Sequence, residues 1–250
     1  MPFRQAGGHW VSGAHRKRRL SENSLEVDME LNEAIQARRS IRDFKADPVP
    51  RDVLEKIVDI GTHAPSSMNI QPWKITVVGG EVLAELKREN AARLASGVSS
   101  KLELEAKPPE GDYRQRQVDL AIGIFKLLGI GREDKDKRRV WYEKGFRFFD
   151  APAAIILSVE KSADPLNVLV FDLGLLAQTI CLAAVGYGLG TCIERQGIGF
   201  PDLVRKCTGI PESHKIVIGI AVGYPNWQFP VNGMVTGREP LGNVCTWCGF

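Results

Sequence analysis

Residues 38–42 read Arg-Arg-Ser-Ile-Arg, which places three guanidinium groups and one hydroxyl within five positions. Arginine presents a planar fork of N–H donors that matches a phosphate group, and serine adds one further donor. The preceding residues 31–37 carry apolar side chains at helical spacing, so the donors collect at the end of a predicted helix. This pattern favours the binding of a phosphate monoester. The alternative interpretation is a solvated basic turn.

A second polar stretch lies in residues 64–73, where two prolines bound a loop that reads Ser-Ser-Met-Asn-Ile-Gln. Loops of this composition on a rigid scaffold often carry function, and the alternative is a plain polar turn. A serine nucleophile is not favoured. His63 and His214 come with neither an elbow glycine pattern nor a clear acid partner.

The chain contains five cysteines, and their odd number and irregular spacing indicate reduced thiols in a cytoplasmic protein. Cys245 and Cys248 form a CxxC pair that would need two further ligands to hold zinc, and the sequence has no second CxxC and no HxxxH. We therefore predict no metal site and no redox role for this pair.

Composition indicates an ordinary soluble protein, with 44% hydrophobic and 25% charged residues. Residues 1–28 carry +2 of the net charge of +3 and lack the apolar segment of a signal peptide, so we expect a flexible basic tail. The remainder is nearly neutral, which argues against a nucleic-acid surface.

The elements that must position these residues follow from hydrophobic periodicity. We predict three strands, at residues 73–78, 153–159 and 215–222, and helices near 50–64, 81–95, 166–186 and 200–207. Residues 97–140 are predicted to be a partly helical insertion over the body and a candidate lid. Residues 29–250 are then one domain behind the tail.

The helix predicted at residues 166–186 overlaps a run of 18 uncharged residues, 173–190. This run meets the crude length of a membrane span. Gln178, Thr179 and several glycines, with Asp172 just before the run, favour a soluble core or subunit-interface helix instead. The Gly-rich sequence that ends it is not GxGxxG, so a Rossmann site is not supported. We predict no membrane association.

Taken in order, the motifs resemble the flavin-dependent nitroreductase family across roughly residues 29–249. The specific pair is Arg-Arg-Ser-Ile-Arg-Asp-Phe at 38–44 and Ala-Pro-Ser-Ser-x-Asn-x-Gln-Pro-Trp at 64–73. Three weaker motifs follow: Gly-Leu-Gly-Thr-Cys at 188–192, Gly-x-x-x-Gly-Tyr-Pro at 219–225 and Arg-x-Pro-Leu at 238–241.

The resemblance implies an α+β fold with a central mixed, mostly antiparallel sheet wrapped by helices. It also implies a homodimer with two FMN sites at the subunit interface and a C-terminal segment that extends onto the partner. By motif position, the FMN phosphate, ribityl chain and pyrimidine edge would be contacted by Arg38, Arg39, Ser40, Arg42 and Arg238. The other subunit would contribute Pro65, Ser66, Ser67, Asn69 and Gln71. The backbone near flavin N5 would be that of Gly190, Thr191, Ile193 and Glu194.

The function that the resemblance implies is ping-pong hydride transfer. NADH or NADPH would reduce FMN, and an electron-poor acceptor such as a nitroaromatic or quinone would then reoxidise it, so no protein nucleophile is required. Two alternatives stay open. One is a flavoenzyme of the same fold with other chemistry, such as reductive dehalogenation or flavin-dependent oxidation, and the other is a non-enzymatic phosphate- or nucleic-acid-binding protein.

Overall fold

The computed structural model describes residues 29–105, 107–163 and 166–250. The predicted basic tail and Pro165, which was expected to begin a helix, lie outside these ranges. Within them the chain forms four strands and eight α-helices. The strands are β1 (Trp73–Gly79), β2 (Ala153–Glu160), β3 (Gly190–Glu194) and β4 (His214–Gly223). The helices are α1 (Leu31–Ala37), α2 (Arg51–Thr62), α3 (Gly80–Ala95), α4 (Gly111–Leu127), α5 (Lys135–Phe146), α6 (Leu166–Gly186), α7 (Pro201–Thr208) and α8 (Leu241–Val244).

The four strands form one sheet in the order β1-β2-β4-β3, and each neighbouring pair is antiparallel. The parallel component of the described sheet is an isolated bridge between Ser40 and Thr191. The predicted α+β architecture with a mostly antiparallel sheet is therefore confirmed. The bridge matters for function because it fixes the arginine-rich segment along the free edge of β3.

Strand β3 was not predicted, because the Gly-rich residues that lead into it read as the end of a helix. The backbone of Gly188 is left-handed, with φ of 68°, and turns the chain from α6 into the strand. Gly190 then allows a close approach: a Cβ there would lie 2.5 Å from Ile41 Cγ1. The glycines thus bring residues 38–42 against the sheet.

Two apolar layers cover the two faces of the sheet. On one face, α2 and α6 pack over Ile155, Leu157 and Ile220. On the other face, α3, α7 and the Phe146–Phe149 region pack over Ile156 and Ala221. Strands β2 and β4 therefore alternate their side chains between two hydrophobic clusters, which explains their almost uninterrupted apolar sequences.

Helix α6 is long and apolar enough to span a membrane by length and composition, a test that core helices of soluble proteins also pass. Asp172, its one charged residue, is buried at 2% exposure. Phe171 beside it is 67% exposed. One side of α6 thus covers the sheet and another side presents apolar residues outward.

The insertion predicted at residues 97–140 is partly helical, since it contains α4 and the start of α5. Before α4 the chain crosses the edge of the sheet, where Lys101 N donates to Gly199 O at 2.9 Å. Glu103 then accepts from Arg205 Nη2 and from Ile216 N, each at 2.7 Å. The role of this region as a lid stays a prediction.

Candidate active site

Four arginines gather around one cavity of about 360 Å³ between α1 and the segment before α8. Its walls include five residues predicted to contact the FMN phosphate, ribityl chain or pyrimidine edge: Arg38, Arg39, Ser40, Arg42 and Arg238. The structure therefore brings together residues that lie about 200 positions apart in the sequence. Met234, Val235 and Thr236 complete one wall, and the sequence analysis had not identified them.

Backbone hydrogen bonds hold residues 40–42 beside β3. Ile41 N donates to Thr191 O at 2.9 Å, and Arg42 N donates to Asn232 Oδ1 at 2.7 Å. Asn232 is fully buried, and its Nδ2 donates to Asp43 O at 2.7 Å. Asn232 is thus a positioning residue for the cavity. Its sequence context gave no signal of that role.

The guanidiniums of the cavity have no acid partner among the described residues. Arg39 Nε donates to Ala37 O at 3.2 Å, and Arg238 Nη1 donates to Thr236 Oγ1 at 2.8 Å. The two acids adjacent to them in sequence are paired elsewhere: Asp43 with Lys144, and Glu239 with Arg116. Several cations held close together without a carboxylate form a site for a dianion such as a phosphate monoester.

This donor set fits the phosphate end of FMN. A phosphate offers three acceptor oxygens, and the cavity supplies guanidinium forks and the Ser40 hydroxyl within one wall. Arg42 Nη1 also reaches Ser40 O at 3.4 Å, which keeps its guanidinium near the start of β3. The residues present thus match a phosphorylated cofactor such as FMN.

The predicted partner-subunit residues lie on a loop that does not line this cavity within one described chain. Met68, Asn69 and Gln71 have φ of 48°, 59° and 46°, which is strained for non-glycine residues. Hydrogen bonds hold the loop in this shape. Gln71 N donates to Ser66 Oγ at 2.9 Å, and Ser67 N donates to both oxygens of buried Asp172, at 3.2 and 3.3 Å. Pro65 lies just before these residues, in the segment that follows the end of α2 at Thr62.

Strand β3 presents its residues alternately to the two faces of the sheet. Gly190, Thr191 and Glu194 are buried, whereas Ile193 is 42% exposed and borders open space on the α6 side. Of the four predicted residues near flavin N5, Ile193 is therefore the one whose side chain a ligand can reach in a single chain. For Gly190, Thr191 and Glu194, the prediction was that the backbone, and not the side chain, lies near flavin N5.

The Glu194 carboxyl is buried on the opposite face, in space left by two glycines. A Cβ would lie 2.7 Å from Glu194 Oε1 at Gly197 and 3.0 Å at Gly219. Gly197 N donates to Oε2 at 2.8 Å, and Oε1 has no partner among the described residues. Burial raises the pKa of this carboxyl to about 8, against the opposing effect of the backbone N–H donors.

Cys192, next to these residues, is buried, and burial raises the pKa of its thiol to about 12, although Arg42 and Ser40 act in the opposite direction. A raised pKa disfavours the thiolate, which is the nucleophilic form of cysteine. Cys245 is half-buried and Cys248 is exposed, and both are free thiols. No group of three or more potential metal-ligating side chains is gathered in the described part of the chain.

A second cavity, of about 410 Å³, is lined by Ile193 and opens between α6, β3, β4 and residues 104–105. We call it the α6 pocket. Its walls are mainly apolar, and Arg195 is the basic residue in them. The sequence analysis missed Arg195, because a single arginine after a short unpredicted strand carries no motif.

Comparison with known proteins identifies the family of the chain. The family model described as "Nitroreductase family" matches residues 35–224. The 4-nitrobenzoate reductase of Nocardioides sp. strain LMS-CY is 31% identical over 218 residues, covering 85% of this chain and 87% of that protein. Nitroreductase NfnB of Mycolicibacterium smegmatis is 28% identical, covering 84% of this chain and 89% of that protein.

Solved structures give the same result. An FMN- and NADPH-dependent nitroreductase, NfnB from sphigopyxis sp. strain HMH, superposes with a TM-score of 0.84 at 30% identity, over 89% of this chain and all of that chain. The FMN-dependent NfnB from Mycobacterium smegmatis, solved with NADPH, gives a TM-score of 0.81 at 26% identity, over 87% and 97% of the two chains. With the family model spanning most of its described fold, the chain belongs to the nitroreductase family.

Proposed function

We propose that this protein is an FMN-dependent oxidoreductase that uses NADH or NADPH to reduce an electron-poor acceptor, a nitroaromatic or a quinone. The observation that carries the proposal is the cavity set directly beside β3, whose guanidiniums pair with no carboxylate in the described part of the chain. When bound, FMN supplies the hydride chemistry that no side chain of this site could perform.

The roles of the chain's own residues follow from their chemistry. Arg38, Ser40 and Arg238 would bind the phosphate, and Arg39 would approach the ribityl chain. Arg42 would hold a fixed positive charge at the edge of the ring where reduction adds negative charge, which stabilises the reduced cofactor. The chain provides position and charge, and we propose no catalytic side chain.

The flavin ring would lie along the β3 backbone of Gly190, Thr191, Ile193 and Glu194. Burial of the Glu194 and Cys192 side chains leaves the exposed side of the strand apolar at Ile193. An apolar surface excludes water from the reacting atoms and accepts a flat aromatic ring. The same surface would receive the nicotinamide and then the acceptor.

The relatives support the acceptor class. Their names specify 4-nitrobenzoate, nitrobenzene and chloronitrobenzene as substrates, and the matched structures are described as NADPH-dependent. These names divide between charged and uncharged nitroaromatics, so they leave the preferred acceptor of this chain open.

A homodimer is part of the proposal. Two observations support it: the exposed apolar side of α6, and the position of residues 65–71 outside the arginine cavity of their own chain. In such a dimer, Pro65, Ser66, Ser67, Asn69 and Gln71 would complete the partner's site, and the C-terminal segment would extend onto the partner.

We further propose a cytoplasmic protein in which residues 29–250 form one FMN-binding domain.

The test is an anaerobic titration of purified, FMN-loaded protein. NADH or NADPH should bleach the flavin absorbance, and a nitroaromatic or quinone should restore it at a rate that accounts for steady-state turnover. Protein that neither binds FMN nor bleaches with either nucleotide would contradict the proposal. Reoxidation by a halogenated phenol but by no nitroaromatic or quinone would assign reductive dehalogenation instead.

A further inference from the structure

The α6 pocket combines apolar walls with a single basic side chain. Val170 and Leu173 from α6, Val217 from β4 and the exposed side of Ile193 form the apolar surface. Its volume of about 410 Å³ falls within the roughly 300–1,000 Å³ of small-molecule sites. Because Ile193 borders it, the pocket adjoins the surface where we propose that the acceptor lies.

The guanidinium of Arg195 is only partly satisfied. Its Nη2 donates to Leu104 O, and its Nε has no partner among the described residues. It forms no ion pair with any described carboxylate, in contrast to Arg205, which pairs with Glu103. A cation that is partly desolvated and bound to one neutral carbonyl gains most from an added anion.

The other charged residue of the pocket is Glu105. It is exposed to solvent, so water and salt screen its charge, and it forms no ion pair with Arg195. The two residues therefore leave an uncompensated positive group deeper in the pocket and a screened negative group at its rim.

On these grounds we propose that Arg195 pairs with a carboxylate on the acceptor, so that the pocket selects nitroaromatic acids over uncharged nitroaromatics. The inference rests on the proposed function and specifies its substrate class. An aromatic acid matches the pocket because it presents an apolar ring to the walls and one planar anion to the guanidinium fork.

A phosphate of NADPH could offer Arg195 the same anionic chemistry. We favour the acceptor, because a nucleotide phosphate carries polar ribose beside it and the surrounding walls are apolar. The experiment separates the two sources by measuring KM for NADPH in the same variants.

The experiment compares 4-nitrobenzoate with 4-nitrobenzamide, which has nearly the same shape and no charge. The quantity measured is the ratio of the two kcat/KM values, acid over amide, with FMN saturating. Arg195→Met keeps an apolar stem and removes the charge, and it should lower this ratio about tenfold, equivalent to roughly 1.4 kcal/mol. Arg195→Lys should retain part of the ratio.

Two further variants test the sign of the charge effect on this ratio and provide its control value. Glu105→Gln removes a like charge from the rim and should raise the ratio. Arg51→Met is the matched control, because Arg51 lies on the surface of α2 with its side chain 91% exposed, and its ratio should equal that of the wild type.

The outcomes are distinguishable. An unchanged ratio in Arg195→Met, equal losses with acid and amide, or a raised KM for NADPH alone would overturn the assignment of Arg195 while leaving the reductase function intact. Wild-type protein that reduces a quinone but neither of these two compounds would overturn this inference alone. Wild-type protein that neither binds FMN nor bleaches with either nucleotide would overturn the proposed function, and this inference with it.

Discussion

At the residue scale, Arg42 differs from the other arginines of the cavity in how it is held. Its backbone N–H is fixed by buried Asn232, and its guanidinium turns back toward the start of β3. Arg39 instead lies 5.8 Å from the ring of Trp227, and Arg238 binds its own neighbouring residues. Residues of one type and charge can therefore have separate roles.

We predict that Arg42→Gln lowers the midpoint potential of bound FMN by tens of millivolts. A fixed cation near the ring stabilises the reduced cofactor more than the oxidised one, and a loss of about 1.4 kcal/mol corresponds to roughly 30 mV for two electrons. A redox titration at saturating FMN measures the shift, with Arg39→Gln as the comparison. Wild-type potential with weakened FMN binding would make Arg42 a phosphate or ribityl ligand instead.

The raised pKa of Glu194 leads to a prediction about how the stability of the protein depends on pH. Its pKa is raised from 4.5 to about 8 in the folded protein. Between pH 4.5 and about pH 8 this carboxyl is therefore protonated in the folded protein and ionised in the unfolded chain. The stabilisation from this neutral carboxyl is complete below about pH 4.5 and is lost as the pH rises through about 8. The free energy of unfolding of the wild type should therefore fall with pH relative to Glu194→Gln, by up to a few kcal/mol.

Urea unfolding at saturating FMN, measured for both proteins from pH 5 to pH 9, tests this. Glutamine keeps the size of the side chain and is neutral throughout, so its curve serves as the baseline. Parallel pH profiles for the two proteins would show that Glu194 titrates near its ordinary pKa and that its burial has no linkage to stability.

At the element scale, Asp172 connects α6 to the loop that carries Ser66 to Gln71. It is the one charged residue on α6, it is buried, and both its oxygens accept from Ser67 N. The loop contains three non-glycine residues in the left-handed region, so it depends on such contacts to keep its shape.

We predict that Asp172→Ala weakens FMN binding and increases hydrogen exchange in residues 66–71. The loss of a buried acceptor should cost about 1–3 kcal/mol. Asp172→Asn keeps one oxygen acceptor and should recover part of both effects, and Asp59→Ala on the surface of α2 is the control. Unchanged exchange in the loop of Asp172→Ala would remove its positioning role.

Most elements could be predicted from the sequence because their signals are local. The strands predicted at residues 73–78, 153–159 and 215–222 lie within one residue of β1, β2 and β4 at every end. Those segments are runs of β-branched and aliphatic residues bounded by glycine or proline. β3 was missed because it has five residues and a glycine-rich start, and its pairing with β4 is a long-range contact.

The site could be predicted from the sequence where residue type and spacing indicate a binding chemistry. The arginine cluster at 38–42, whose donor chemistry suggested a phosphate site, meets Arg238 in one cavity, as the family resemblance implied. The supporting residues were not predictable: Asn232 acts through a bond spanning 190 positions, and the space for Glu194 depends on Gly219 in another strand. Such roles arise from packing and leave no periodic pattern in the chain.

At the scale of the whole molecule, the exposed apolar surface predicts assembly. Phe171 on α6 is 67% exposed, and Leu31, Trp247 and Phe250 are also largely exposed. Apolar residues of this size in contact with water mark interaction surfaces. They lie on elements that the proposed dimer would cover.

We predict that the protein sediments as a homodimer and that Phe171→Glu shifts it to monomer with loss of FMN. A carboxylate buried in an apolar interface costs several kcal/mol unless it is paired. Val82→Glu replaces an exposed apolar residue on α3 and should remain dimeric. If Phe171→Glu stays dimeric and loaded with FMN, this face of α6 is not the interface.

The central claim is that the arginine cavity binds the phosphate of FMN, and comparing FMN with riboflavin tests it most directly. The two flavins differ only by the phosphate, so the ratio of their dissociation constants isolates that group. Charge-assisted bonds of roughly 1.5–3 kcal/mol each should make wild-type protein bind FMN at least about a hundredfold more tightly. In Arg38→Met this ratio should fall at least about tenfold, and in Arg51→Met it should not change. A ratio near one in the wild type, or the wild-type ratio preserved in Arg38→Met, would contradict the account.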